Sequence, residues 1–367
     1  MSKFTRFLST LLAVALLSSV MAFCAFAEAD TVTVNTVYCD VEVPFAPERV
    51  CVLDMYTMDT LHTLDLSDNV VILLYNKKHP AYLADYYASE TIISLNASTR
   101  DLEEGADPYE PYYSIDADLI IGTVDQANEE LYNDVLSQIA PTVILPAYDQ
   151  CETGMFDGVM ANAATIAGIW GAEEELEAMT ADRVTAYAQL KDICAGKTYL
   201  LGYGDIDING IRLDNEGKEE RDDHESEEAA SAEKTESSSE SSNSHHKKSN
   251  SEAAEKFLAE LGMVNITGDA PAEFIGDLAE GADHDAAAKS LMDWVESVNP
   301  DALLLTSRDY FSLEEVRAAG YDYLYLDSTT VYNNGGFQIL GVEWSQCSGG
   351  LTGMLTMVDQ VAEIFLK

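Results

Sequence analysis

Short apolar runs alternate with helical spacing along this chain, and that alternation leaves few architectures open. Arg49–Asp54 (RVCVLD), Val70–Tyr75, Leu119–Gly122 (LIIG) and Thr142–Leu145 are compact apolar strands. Between them, Met55, Met58, Leu61 and Leu64 recur at helical steps, and 129–139 is again helical. Strands that are apolar throughout are buried on both faces, and parallel neighbours need helical crossovers. The pattern therefore predicts a parallel sheet with helices on both faces over residues 31–148. Ahead of it, Thr31–Val43 alternates apolar and polar residues around Asn35, as a short β-hairpin does.

The pattern then repeats. Phe156–Trp170 and Ala172–Cys194 are helical, the second with a stripe of Leu176, Met179, Val184, Tyr187, Leu190 and Ile193. At 1.5 Å per residue that second helix runs about 35 Å, too long for one small lobe and suited to tying two together. Strand chemistry restarts at Lys197–Gly202, and Asn209-Gly210 between Ile208 and Ile211 is a hairpin signal. Helices are expected over Ala253–Leu261, Asp285–Ser297, Leu313–Ala319 and Gly353–Phe365, with strands at Ala302–Thr306 and Tyr323–Asp327. Asp214–Glu252 interrupts this half. It holds almost no apolar residue larger than Ala and cannot bury enough surface to offset its ordering entropy, so it reads as a disordered acidic insertion. The expected organisation is a leader at 1–27, an N-terminal lobe at 31–148, connecting helices at 155–195, and a C-terminal lobe at 196–367 interrupted at 214–252.

Composition narrows the function. The 367 residues carry 65 acids against 20 Lys and Arg, a net charge of −45. Such a charge repels phosphate backbones and anionic lipid heads, which excludes nucleic acid and the membrane surface as partners. Hydrophobic residues make up 47%, enough for real cores. Lys3 and Arg6 precede the apolar stretch Phe7–Phe23, and Ala25-Phe26-Ala27 and Ala27-Glu28-Ala29 offer cleavage sites, the pattern of an export signal. Phe23 stands before Cys24 where a lipoprotein site has a small residue, which favours simple cleavage over lipid anchoring. Export places the chain outside the cytoplasm, in a periplasm or at a cell surface. No apolar run of about 20 residues follows the leader. Cys39, Cys51, Cys151, Cys194 and Cys347 remain, an odd number with no CxxC spacing, and most of them read as buried free thiols. No Gly-x-Ser-x-Gly, His-Glu-x-x-His or Walker loop is present, so no motif points to an enzyme.

An ordered series of short motifs carries a family resemblance. Val41-Glu42-Val43-Pro44, Pro47-Glu48-Arg49-Val50, Val52-Leu53-Asp54, Asp59-Thr60-Leu61, Asp118–Ile121, Ile139-Ala140-Pro141-Thr142, Asn299-Pro300-Asp301 and Tyr325-Leu326-Asp327 occur in the order found in iron-chelate solute-binding proteins of ABC importers. The chain resembles that family, whose members bind ferric siderophores, haem or cobalamin. The resemblance implies an α/β fold of the class III periplasmic-binding-protein kind, with two Rossmann-like lobes joined by one long backbone helix. It implies a monomer without an intrinsic cofactor, capturing an iron chelate such as a siderophore and delivering it to an ABC permease and its ATPase. Haem, cobalamin or metal-ion binding on the same fold, and a surface interaction module that has lost transport, stand as alternatives.

The resemblance also implies residues. Glu110 and Asp293 match the family's permease-docking carboxylates, one per lobe, although the second is usually Glu; an ordinary solvated acid is the alternative for each. Arg308 matches a family ligand arginine. Two other expected arginines are missing: Thr123-Val124-Asp125-Gln126 occupies one loop, and the insertion begins at the other. That pattern favours a neutral or weakly charged chelate over a trianionic catecholate. Tyr56, Lys77, His79, Gln126, Tyr310, Tyr332 and Trp344 are expected in strand-end loops, where open α/β sheets bind ligands. His224, His245 and His246 lie among the carboxylates of the insertion, as a loose metal-gathering tract or as part of a solvated spacer.

Overall fold

The computed structural model describes residues 31–75, 79–96, 115–124, 129–205, 210–213, 252–275, 282–306, 313–318, 323–341, 344 and 347–367. The expected leader, most of the expected insertion and the residues that follow several of the strands lie outside them. The expected hairpin is present: β1 (Thr31–Asn35) pairs antiparallel with β2 (Asp40–Pro44). The Thr36 hydroxyl closes the turn by donating to the Cys39 carbonyl at 2.8 Å.

The first lobe is a five-stranded parallel sheet. Its strands are β3 (Val50–Val52), β4 (Val70–Tyr75), β5 (Ile93–Asn96), β6 (Leu119–Thr123) and β7 (Thr142–Leu145), in the order β5-β4-β3-β6-β7. Side chains alternate between two buried faces, as strand geometry requires. Val50, Val52, Leu119, Ile121, Val143 and Leu145 join one core with α1 (Met55–Thr63). Cys51, Leu53, Ile120 and Ile144 face α2 (129–139) on the other side, packing on Tyr132 and Leu136. The edge strand β5 was not foreseen. Ile93-Ser94-Leu95-Asn96 does alternate apolar and polar residues, but over four positions only and with Ile93 exposed, too short a run to stand out as a strand.

Two helices connect the lobes: α3 (Met155–Trp170) and α4 (Glu173–Cys194). Gly171 makes the break between them in the left-handed region (φ 69°), with the Phe45 ring 3.0 Å from where a Cβ would stand, so a side chain there is excluded twice. The α4 stripe does what its length required. Leu176 belongs to the first lobe's core, while Tyr187, Leu190 and Cys194 belong to the second's. Ile193, expected on this stripe, is exposed, and its neighbour Cys194 is buried instead.

The second sheet contains β8 (Thr198–Asp205), β9 (Gly210–Leu213), β10 (Val264–Asn265), β11 (Ala302–Thr306) and β12 (Phe337–Leu340). The parallel order is β10-β8-β11-β12, and β9 folds back antiparallel on β8, so a hairpin is present. Asn209-Gly210 is not its two-residue turn, because Gly210 is already the first residue of β9 and pairs with Asp205. Helices α5 (Glu252–Glu260), α6 (His284–Val298), α7 (Leu313–Ala318) and α8 (Leu351–Phe365) complete the lobe. The strand expected at Tyr323–Asp327 is absent. Tyr325 is left-handed (φ 63°) and Leu326–Ser328 is a 3-10 turn; the buried pair Tyr323 and Leu326 stand three apart, a turn's spacing, and β12 supplies the fourth parallel strand. Glu252, counted with the acidic insertion, opens α5; residues 214–251 lie outside the described set.

Helix α8 begins without a cap of its own, since its N-cap is Gly350. The exposed amides of a helix's first turn need acceptors. They find them on another helix: Thr352 N–H donates to Asp59 Oδ2 at 2.8 Å, Gly353 N–H to the same oxygen at 3.4 Å, and Leu351 N–H to Thr60 Oγ1 at 3.2 Å. The hydroxyls of Thr63 and Thr352 pair as well. From this trans cap α8 runs through both cores, with Leu351 and Leu355 in the first and Met354, Met357, Val358 and Val361 in the second. Among the described residues no helix is long and apolar enough to cross a membrane. None of the described cysteines forms a disulfide; Cys51, Cys194 and Cys347 are buried, and Cys39 and Cys151 exposed.

The approach to this cap sets a prediction. A Cβ on Gly353 would stand 1.9 Å from the Cys347 carbonyl oxygen, whereas one on Gly168 in α3 meets nothing closer than 3.8 Å. Alanine exceeds glycine by about 1 kcal/mol in a helix interior when space allows. Gly168→Ala is expected to raise stability in urea by about 0.5–1 kcal/mol. Gly353→Ala should lower it by more than about 2 kcal/mol despite the same gain in propensity.

Candidate ligand-binding site

In an open α/β sheet the crevice forms where the strand order reverses, beyond the strands' carboxyl ends. In the first lobe that point lies between β3 and β6, and in the second between β8 and β11. Asp54 and Thr123 end the first pair; Tyr203 and Thr306 face each other at the second, where the Thr306 hydroxyl donates to the Gly202 carbonyl at 3.3 Å.

Asp54 closes the first crevice from inside. As the N-cap of α1 it accepts the Thr57 N–H at 2.7 Å, and its other oxygen accepts the Thr123 N–H at 2.6 Å, which binds the ends of β3 and β6 to one carboxylate. Gly122 permits this approach, because a Cβ there would stand 2.6 Å from the Leu53 Cβ and 3.0 Å from an Asp54 oxygen. Burial raises the Asp54 pKa, opposed by the hydrogen bonds from Thr57 and Thr123.

Tyrosines surround this point. Tyr56, in the first turn of α1, meets the Tyr148 ring edge-on at 5.2 Å, and the Tyr148 hydroxyl bonds Ser348 Oγ at 2.8 Å. Gly349 passes so close to both rings that a Cβ would stand 2.4 Å from Tyr148 and 2.8 Å from Tyr56. His79, beyond the end of β4, stacks on Tyr87 at 4.3 Å. The phenols of Tyr56, Tyr82 and Tyr87 are held protonated, chiefly by burial, with Cys347 among the neighbours of all three. Tyr82 already donates its hydroxyl to Asp59, and Tyr148 is buried with its hydroxyl on Ser348, so what these rings can offer a molecule is the half-buried flat faces of Tyr56 and Tyr87.

The structure thus brings Tyr56 and His79 to the carboxyl end of the first sheet. Two other expected ligand residues lie elsewhere. Tyr332 packs on Phe337 at the start of β12, the opposite end of the sheet from the strand carboxyl ends, because it precedes its strand instead of following it. Trp344 is fully buried in the second core, edge-on to Phe257 and donating to Gln360 Oε1, so its ring has no surface to offer a ligand. Asp293 lies on the outer face of α6, exposed, with the Lys289 ammonium 2.7 Å from its carboxylate one turn earlier. Glu110, Lys77, Gln126, Arg308, Tyr310, His224, His245 and His246 lie outside the described residues, although β11 ends at Thr306, two residues before Arg308. Among the described residues no group of three or more His, Cys, Asp or Glu is arranged to hold a metal ion.

Several residues found here are not expected at the site from sequence, although Asp54 and Asp59 both fall within the motif series. Asp54 carried a usable signal, an Asp between an apolar strand and a helix. Asp59 did too, as an acid on the same helical face as Met55 and Met58. Tyr82, Tyr87 and Tyr148 are brought in by tertiary packing and had none. Arg212 was hidden by its strand: it is buried on β9, opposite Tyr203, with its guanidinium donating to the Glu273 carbonyl at 3.0 Å.

No protein-family model matches the chain, and no curated protein matches it. Solved structures do. The iron-uptake ABC transporter substrate-binding protein PiuA from Streptococcus pneumoniae aligns over 92% of this chain and 99% of its own, with TM-score 0.53 and 16% identity. The siderophore-binding protein BauB, solved with two molecules of acinetobactin and ferric iron, aligns over 91% and 98%, with TM-score 0.54 and 16% identity. The petrobactin-binding protein YclQ from Bacillus subtilis aligns over 92% and 100%, with TM-score 0.51 and 18% identity. The fold is therefore that of class III periplasmic binding proteins, two α/β lobes joined by a long helix.

Asp54 gives the site its clearest test. Asp54→Ala orphans two buried amides and is expected to cost about 2–4 kcal/mol in urea unfolding, combining a lost cap with a lost buried acceptor. Asp54→Asn keeps one acceptor oxygen and should cost about half as much. Equal effects of the two substitutions would contradict the capping role.

Proposed function

We propose that this chain is the extracytoplasmic solute-binding subunit of an ABC importer, and that it holds an iron chelate, a ferric siderophore of low net charge, between its lobes. The observation that supports this best is architectural. Two switch-point crevices, one per lobe, are held together by helices shared between both cores, in a fold whose similar solved structures carry iron-uptake and siderophore-binding names. The ligand would rest against Tyr56 and His79 from the first lobe, with Lys77, Gln126, Arg308 and Tyr310 from the strand-end loops. Acids outnumber cations in the segments that follow the strands: Lys77, Lys78 and Arg308 stand against Asp125, Asp205, Asp207 and Asp309, and the segment after β5 adds Arg100 against Asp101, Glu103, Glu104, Asp107 and Glu110. That excess of acid fits a neutral or weakly charged complex better than a trianion. Glu110 and Asp293 would dock on a permease as a monomer's two contact points, and residues 1–27 would direct export.

The direct test is thermal unfolding with hydroxamate, carboxylate and catecholate ferric siderophores, haem, cobalamin and free metals. A ligand present at 100 times its Kd stabilises the fold by about 2.7 kcal/mol. A siderophore of low charge is expected to raise the Tm; no shift with any chelate would contradict the reading. With that ligand, Arg308→Ala should weaken binding roughly 10- to 100-fold, and Arg308→Lys should recover only part because an ammonium lacks the planar fork. Unchanged affinity would remove Arg308 from the site.

Docking is tested separately. Reversing Glu110 and Asp293 together to Lys is expected to abolish uptake in cells and spare affinity in solution. Because Asp293 pairs with Lys289 on an exposed helix face, the stability cost of its reversal should stay near 0–1 kcal/mol. Lost affinity in the stable double variant would contradict the docking role.

A further inference from the structure

Asp59 is an acid in an unusual place. Its side chain has no exposed surface, yet it lies between two helices from distant parts of the chain. One oxygen accepts the Thr352 and Gly353 amides, the first turn of α8. The other accepts the hydroxyl of Tyr82 at 2.5 Å, from the turn that follows the ligand-side end of β4. Around it, Gly350 comes so close that a Cβ would stand 2.3 Å from Oδ2, which leaves no room for water on that side. No lysine or arginine pairs with the carboxylate among the described residues.

We propose that Asp59 makes the docking of α8 on α1 proton-linked: neutralising this carboxylate tightens the contact between the helices, and ionising it loosens the contact.

An ionised carboxylate without a cation or water is costly, and three hydrogen bonds recover only part of that cost. The cheapest relief is local opening at the first turn of α8, where water reaches the charge. A neutral carboxyl group has no such need and still accepts from an amide. The balance agrees with this, since burial pushes the Asp59 pKa up to about 6 against the opposing hydrogen bonds from Tyr82, Gly353 and Thr352. The sign follows. The docked state binds a proton between pH 6 and about 4 that the opened state, with an ordinary carboxylate, does not bind, so docking strengthens as pH falls through that window.

The titratable groups nearby do not reverse this. From the turn after β4, Tyr82 is held protonated by burial, and Tyr87 likewise. From the segment before α8, the Cys347 thiol neighbours Tyr82. From α1 itself, burial lowers the pKa of His62, with Asp65 opposing, so its protonation acts in the opposite sense as pH falls. Its ring is only half-buried and meets Tyr82 and Tyr86, with Nδ1 bonded to the Tyr86 hydroxyl, not the first turn of α8. Asp54 and Tyr56 at the start of α1 are raised by burial.

Amide hydrogen exchange on the full chain tests this, with rates corrected for the intrinsic pH dependence of exchange. Protection of residues 351–356 relative to 173–194 is expected to rise about tenfold between pH 7.5 and pH 5.0, the change in opening constant for a closed-state pKa of about 6 against an ordinary aspartate. In Asp59→Asn the rise should fall below about threefold. Tyr82→Phe keeps the carboxylate and removes a donor to its charged form, so its transition should move to higher pH. This variant decides the matter if Asp59→Asn does not fold. Protection that is flat or falls toward pH 5.0 in the unaltered chain would overturn the proposal, as would an undiminished rise in Asp59→Asn or an unmoved transition in Tyr82→Phe.

Discussion

Everything distinctive in this molecule depends on how α8 starts. A glycine at its N-cap leaves three first-turn amides without a local acceptor, and Asp59 and Thr60 of α1 supply what is missing. The contact joins residues nearly three hundred positions apart in the chain. It is buried, so the hydrogen bonds compete with no solvent and their loss is expensive. Past that first turn α8 contributes side chains to both hydrophobic cores, as α3 and α4 do. The lobes are thus two sheets built on three common helices. Arg183 on α4, paired bidentately with Asp359 on α8, adds a half-exposed tie worth little by itself.

The site inherits this construction. The crevice of the first lobe is closed from within by one carboxylate, Asp54, and the segment leading into α8 passes against both Tyr56 and Tyr148 at Gly349. Groups that would meet a ligand therefore stand directly on the groups that hold the lobes together. Tyr82 shows the same economy: it follows β4 in sequence, as Lys77 and His79 do, and its hydroxyl ends on the carboxylate that caps α8.

Most of this architecture is legible in the sequence, for a physical reason. Strands such as LIIG and ALLLT are apolar on both faces because both faces are buried, and α4 reveals its spanning role by length and stripe. What escaped is what local pattern does not encode. Strand β5 is a four-residue edge strand, and β12 follows directly on Gly335-Gly336, while Tyr323–Asp327 has a strand's composition and a turn's backbone. For the site, Tyr56 and His79 follow strands and so reach the carboxyl end. Tyr332 precedes its strand and ends on the opposite side, and Trp344 is taken into the core. Asp59 was visible as an acid on an apolar helix face, but its partner, the first turn of α8, is set only by the tertiary fold.

If three shared helices and the Asp59 cap bind the two sheets into one unit, the protein should unfold as one. Differential scanning calorimetry measures this directly by comparing the calorimetric enthalpy with the van't Hoff enthalpy. A single transition with the two enthalpies equal is expected, and replacing Asp59 by Ala should split it or lower the van't Hoff value. Two resolved transitions in the unaltered protein, one per lobe, would contradict the coupling.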